Sequence, residues 1–204
     1  MKNLYSEDAF TGLEAAIVLI AFVVVAAVFS YVVLGAGFFT SQTAQATVHT
    51  GVQQASSSME LVGNVYGIAA AAGNTHLEYV NTTVALTAGG TSVDLSQMVV
   101  SYSDSNKGYN ANVPFGGVLA DGASNCDNAK SGVTQSWCIA QKINPQTASG
   151  AMLEPNAQFV IMVGVPDTAT TNQKITINFQ PAVGAVLPVT RTIPGGLTIV
   201  QPLY

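Results

Sequence analysis

Charge is what this chain has least of. Charged residues make up 8% of its 204 positions, against roughly 25% in an ordinary soluble domain. Between Glu14 and Glu60 there is no Asp, Glu, Lys or Arg at all. Lys2, Lys107, Lys130, Lys142, Lys174 and Arg191 each stand alone, and the net charge is −5. Nucleic acid requires a concentrated positive footprint, and anionic lipid headgroups attract one; neither is served here. The strings HExxH, GxSxG and the P-loop are missing, so the common hydrolytic and nucleotide-driven chemistries lack their residues. His49 and His76 have no nucleophile to serve and read as structural. The chain is not read as an enzyme, and no cofactor is implied. Net charge normally opposes association. A surface drawn from Ala, Gly, Ser, Thr, Asn and Gln suits a subunit that assembles.

What is present is a long apolar run. Residues 15–39 read AAIVLIAFVVVAAVFSYVVLGAGFF, with nothing more polar than Ser30 and Tyr31. A helix needs about 20 such residues to span a bilayer. A secretory signal peptide has a positive start and an apolar core of about 7–15 residues. Here Lys2 is offset by Glu7 and Asp8, and the run is longer. Three fates remain open: removal of a short leader in front of the run, cleavage after Ala44-Gln45-Ala46, and retention as an uncleaved anchor.

Beyond Thr40 the residues Val48, Val52, Ala55, Met59, Val62, Tyr66 and Ala69 recur at alternating intervals of four and three. That stripe is helical, and it predicts one helix over residues 10–72, about 90 Å long at 1.5 Å per residue. Gly35, Gly37, Gly63 and Gly67 are places where it bends or breaks, and Gly73-Asn74 is its stop. From residue 73 to 204 the pattern turns to period two. Ile175, Ile177 and Phe179 alternate cleanly, and strands are expected at 80–86, 93–102, 159–165, 174–180, 185–193 and 197–201. Short strands with Gly, Pro and Asn between them argue for an antiparallel sandwich or barrel. Residues 103–154, rich in Gly and Asn, read as loops.

Cys126 and Cys138 lie twelve apart, the wrong spacing for a CxxC redox or zinc motif. In an exported protein the natural pairing is a disulfide across a small loop, worth roughly 3 kcal/mol in the chain-entropy treatment; two separate thiols are the alternative. Asp121 and Asp127 sit among oxygen-bearing residues of the kind calcium takes. They lack the spacing and terminal Glu of a helix-loop-helix calcium site, and a plain polar loop accounts for them. Asn81-Thr82-Thr83 is an N-x-[ST] sequon and so a glycan acceptor. Glu14 stands at the head of the apolar run, where an ionised carboxylate is costly in hydrocarbon unless paired. A cut between Ala9 and Phe10 creates an ammonium four residues away. That charge neutralises Glu14 of its own helix or of a neighbour, fixing register more than adding stability.

The run from Phe10 through Phe29, FTGLEAAIVLIAFVVVAAVF, resembles the start of a mature archaellin, the filament subunit of the archaeal flagellum. Archaellins are similar at their N-termini to type IV pilins. The resemblance implies that residues 1–9 are a leader removed by a prepilin-type peptidase, with Ala9 before the cut and Phe10 the first mature residue. Glu14 then takes the fifth mature position. Such leaders commonly end in a basic pair and Gly, whereas this one ends Glu7-Asp8-Ala9. The family further implies an α+β architecture, a long N-terminal helix in the filament core followed by an Ig-like antiparallel β-sandwich outside. It implies self-association, alone or with paralogues, and a membrane assembly platform with its ATPase. The precursor is transiently inserted in the membrane, and the product is an extracellular filament for swimming. An adhesive archaeal pilin is the nearest rival. A membrane-anchored or secreted sandwich that binds ligands such as sugars is a rival of a different class.

Overall fold

The computed structural model describes residues 4–106, 108–119, 136–147 and 150–204, with residues 4–11 and 55 described by backbone alone. Two compact units emerge, Met1–Thr50 and Gly51–Tyr204. The first is helical throughout its described residues and belongs to α1, Leu4–Ser56, an unbroken helix of 53 residues. At 1.5 Å per residue this is about 80 Å of helix. Gly35 and Gly37 are carried through without a break.

The helix stops sixteen residues short of the expected Ala72. Ser56-Ser57-Ser58 is the local cause. Serine hydroxyls compete for backbone groups and favour helix ends, and the Ser56 hydroxyl donates back to Gln53 O at 3.2 Å. Gly63 then takes a left-handed φ of +74°. The apolar stripe that continues past Ser56 belongs to the sandwich: Met59 and Ala69 are buried in its core. The expected boundary between helix and outer domain therefore moves from 72/73 to the serines.

The strands are β1 (Met59–Leu61), β2 (Tyr66–Ile68), β3 (Tyr79–Leu86), β4 (Val93–Asp94), β5 (Val99–Asp104), β6 (Tyr109–Val113), β7 (Phe115–Val118), β8 (Trp137–Ile143), β9 (Met152–Leu153), β10 (Gln158–Gly164), β11 (Lys174–Gln180), β12 (Leu187–Thr192) and β13 (Val200–Pro202). One sheet runs β13-β2-β3-β10-β8-β7, with β1 also on β3; a second runs β12-β11-β5-β6; β4 and β9 form a short ribbon. Every pairing is antiparallel except β7 with β8, which is parallel. The two sheets share one core. Val80, Val84, Trp137, Ile139, Phe159 and Ile161 come from the first, and Val100, Tyr102, Ile175, Ile177 and Phe179 from the second.

The described residues within 103–154 are not the loops that their composition suggests. They hold β6 to β9, and β8 lies inside the first sheet with Trp137, Cys138 and Ile139 fully buried. The expected strand 93–102 is divided. The Asp94 carboxylate accepts from Ser96 N–H at 2.9 Å and from its hydroxyl at 2.7 Å, forming a turn at Leu95–Gln97. That turn sends β4 and β5 to different sheets. The chain crosses from the second sheet to the first at Pro114, between β6 and β7. On the opposite flank Tyr204 N–H donates to Thr192 O at 3.2 Å, and Leu203 N–H to Val65 O at 2.9 Å. Those bonds tie the residues after β13 to β12 and to the start of β2.

Candidate assembly surface

The large apolar side chains described in the helical unit are exposed. Leu13, Ile17, Ile20, Phe22, Val24 and Phe29 are all more than half exposed, Phe22 at 74%. With the equally exposed Leu19, Val23, Val25 and Val28 they lie on every side of the helix, as expected for a segment surrounded by lipid or by other helices. The span Gly12–Gln54 is long and apolar enough to cross a membrane by length and composition. Ala15, Ala16, Ala21, Ala26 and Ala27 alternate with the larger side chains, and at Gly12 an added Cβ would meet nothing within 4 Å. Small residues of this kind let helices approach closely.

Past Phe39 the helix changes character without acquiring charge. Thr40, Thr43, Thr47 and Thr50 each donate a hydroxyl to the carbonyl four residues back, on Ala36, Phe39, Thr43 and Ala46, at 2.8–2.9 Å. His49 is exposed on the same stretch.

Glu14 is exposed near the start of the run and makes no ion pair among the described residues. Ala9 and Phe10 lie on helical backbone. Asn81 stands in the middle of β3, opposite Tyr66 on one side and Met162 on the other. Its side chain is half-buried, and its Oδ1 is out of reach of solvent with no hydrogen-bond partner. The sequon therefore sits in a fully paired strand rather than on a loop. Cys138 is disulfide-bonded and packs beside Tyr79 and Met162, apart from the main core. Cys126, Asp121 and Asp127 lie outside the described residues. Among the described residues no three His, Cys, Asp or Glu side chains gather as a metal site would require. His76 Nε2 lies 3.7 Å from Asp167 Oδ1, and among the described residues no nucleophile is paired with it.

One polar node has no counterpart in the sequence reading. The Asp104 carboxylate accepts from Tyr102 OH at 3.0 Å, Thr168 Oγ1 at 2.5 Å, Asn106 N–H at 2.8 Å and Gly108 N–H at 2.7 Å. A Cβ on Gly108 would fall 2.2 Å from that carboxylate. Burial acts to raise the pKa of Asp104. The hydrogen bonds from Thr168, Gly108, Tyr102 and Asn106 outweigh it and hold the carboxyl below its ordinary range. Burial, then the Asp104 charge and hydrogen bond, push the Tyr102 phenol far above its usual value, so it stays a donor. The node ties the β5–β6 turn to the loop before β11. A group with a depressed folded pKa contributes stability above its unfolded pKa and loses it as pH falls through the folded one. Thermal unfolding of the full chain in detergent should thus show an acid-side loss beginning near pH 4. Asp104→Asn should lower stability by about 1–3 kcal/mol at pH 7 and flatten that acid limb; an unchanged limb would assign it to another group.

Comparison with known proteins bears on the helix and the sandwich together. The family profile described as archaeal-type flagellin matches residues 9–191. A probable flagellin 2 of Archaeoglobus fulgidus is 37% identical over 206 aligned positions, covering 94% of this chain and 92% of that one. A probable flagellin 1 of the same organism is 57% identical over 101 residues, which is half of this chain and 49% of the relative. Among solved structures, the archaeal flagellum of Methanospirillum hungatei strain JF1 superposes with a TM-score of 0.64 at 30% identity, covering 94% of this chain and 98% of that one. With a profile match over most of its length, an exposed apolar helix and a β-rich second unit, the chain belongs to the archaeal-type flagellins.

Proposed function

We propose that this chain is the structural subunit of an archaeal flagellar filament, polymerising through α1 and serving swimming motility. The observation that carries this is a 53-residue helix whose large apolar side chains are exposed, beside a sandwich that completes its own core. Each apolar side chain kept from water contributes roughly 1.5–3 kcal/mol, so such a helix persists only in lipid or among its own kind. Moving from lipid into a bundle gains little hydrophobic energy, and close packing at small residues must drive it. Outside the cell the same packing resists dissociation strongly.

The rest of the mechanism follows. A prepilin-type peptidase cuts between Ala9 and Phe10 while the precursor is held in the membrane. Glu14 then meets the new ammonium of its own or a neighbouring helix. A membrane platform and its ATPase add the subunit to the extracellular filament. Cys126 and Cys138 close a disulfide loop on the sandwich. A glycan is carried on Asn81, whose half-buried side chain alternates along β3 with the core-facing Val80, Thr82 and Val84. The chain performs no catalysis of its own in this scheme.

The test is the N-terminus and intact mass of the chain in filaments sheared from cells. The expected start is Phe10, with any glycan appearing as excess mass on the peptide containing Asn81. A chain absent from the filaments, beginning at Met1 or near Thr47, would instead make it an anchored or secreted sandwich.

A further inference from the structure

Asn81 belongs to a straight row of residues that crosses five strands of the first sheet. Pro202 of β13 pairs with Tyr66 of β2, and Tyr66 pairs with Asn81 of β3. Asn81 pairs in turn with Met162 of β10, and Met162 with Cys138 of β8. Residues directly opposite one another in antiparallel strands share a face. Here it is the face turned away from the core, since Val80 and Thr82 on either side of Asn81 are fully buried. No member of the row is charged.

The two halves of the row differ. On the β10 side Met162 and Cys138 are buried, as is Tyr79 beside them. On the β2 side Tyr66 is 41% exposed, and Pro202 is exposed beyond it. The neighbouring pair of the same two strands repeats this, with Ile68 half-buried and Val200 exposed. Asn81 stands at the border between the closed half and the open one. Its Oδ1 is buried and accepts no hydrogen bond among the described residues, so the amide nitrogen is the arm left to offer. Thr83, whose hydroxyl completes the sequon, is half-buried on the same face.

We propose that Tyr66 is the platform on which the first sugar of an Asn81 glycan lies. The proposal rests on the glycan reading above and adds the sugar's resting place and its stereochemical class. The linkage forms when the Asn81 amide nitrogen displaces a phosphate leaving group from C1 of an activated sugar donor and gives up one proton. Nothing is oxidised or reduced. Opposed side chains have Cβ atoms about 4.5–5.5 Å apart, so a sugar joined to Asn81 reaches the Tyr66 ring with the strands as they stand. The Met162 side offers no comparable opening. A tyrosine presents an apolar body with a polar tip, and its ring face carries partial negative charge. A pyranose with equatorial hydroxyls supplies the complement, a flat face of C–H groups. The site therefore suits a gluco-type pyranose or its N-acetyl derivative, and an axial hydroxyl on that face would break the contact. Pro202 continues the apolar floor outward.

The test uses the full chain in detergent, taken from its own cells and from a host that lacks the glycosyltransferase. Each source supplies the parent, Tyr66→Ala and Tyr66→Phe. The mass of the Asn81 peptide reports occupancy, and calorimetry reports the sandwich. The glycan is expected to raise the parent's unfolding temperature by about 2–4 °C. Tyr66→Phe keeps that shift and Tyr66→Ala loses it, as coupling between contacting groups requires. In the parent's NMR spectrum the first sugar's ring protons move upfield, because they lie over an aromatic ring. A glycan that leaves the parent's transition unmoved, or shifts Tyr66→Ala equally, overturns the platform while the glycan reading stands. No excess mass on the parent's peptide sinks the glycan reading, and the platform with it. Where Tyr66→Ala fails to fold or goes unmodified, the parent's sugar protons decide, and normal positions for them overturn the proposal.

Discussion

A carboxylate set into the middle of α1 by Val24→Asp is expected to keep the chain out of filaments while leaving the sandwich's unfolding temperature where it was. Val24 is 54% exposed and lies well inside the charge-free interval that ends at Glu60. An Asp at the centre of a membrane helix costs about 2.5–3.5 kcal/mol on the insertion scale. Between packed helices with no partner the same charge costs at least as much. A loss of that size lowers incorporation by about a hundredfold per subunit, and every copy in a homopolymer carries it. Incorporation is read from the fraction of chain recovered in sheared filaments. Folding is read by calorimetry on the full chain in detergent. Normal filaments from the variant would mean that α1 is not the assembly surface. Glu14→Gln should impair assembly more than folding, because it removes a register-fixing charge and leaves the ammonium proposed at Phe10 without its partner.

The converse experiment is Trp137→Ala. Trp137 is the chain's one tryptophan. It is fully buried in β8 and stacked 4.4 Å from the ring of Phe115 at a tilt of 38°. Truncating such a side chain leaves a cavity and costs about 3–5 kcal/mol, a large share of the 5–15 kcal/mol that holds a typical domain. The calorimetric transition should fall by about 10 °C or more. Trp137→Phe is the informative companion. The indole Nε1 is buried without an acceptor among the described residues, so Phe discards an unmet donor along with some volume. Its penalty should be less than half that of Ala. Equal penalties would show that the indole N–H has a partner in solution.

These two outcomes divide the chain where its sequence is easy to read and where it is not. The helix from residue 10 through Phe39 is legible because a run of that length and apolarity has few other fates. Its end is not legible. Met59 and Ala69 keep the helical spacing by coincidence, and only their burial between sheets shows which periodicity governs them. Strand β11 is plain because Ile175, Ile177 and Phe179 alternate with Thr176 and Asn178. Strand β8 is hidden because its outer half, Ala140, Gln141 and Lys142, is polar or small. Its three buried residues follow directly on a polar stretch. The Trp137-Cys138-Ile139 triplet was the available signal, and the surrounding Gly and Asn outweighed it. At the assembly surface, apolar composition marked the helix. The Asp104 node was invisible, since it joins residues far apart in sequence that are ordinary taken singly.

The threonines of the outer helix carry one further consequence. Sequence alone makes residues 40–54 polar, and polar surface ordinarily resists being stripped of water. Here each hydroxyl of Thr40, Thr43, Thr47 and Thr50 already gives its proton to a carbonyl of its own helix. Withdrawing water from these side chains therefore strands no donor, and the desolvation penalty of a buried hydroxyl is largely avoided. The four threonines wet readily when free and dry at little cost when neighbours close around them, whereas Ser41, Gln42, Gln45, His49, Gln53 and Gln54 still need a hydrogen-bond partner there. Such threonines soften the change from the apolar run to the polar end of α1.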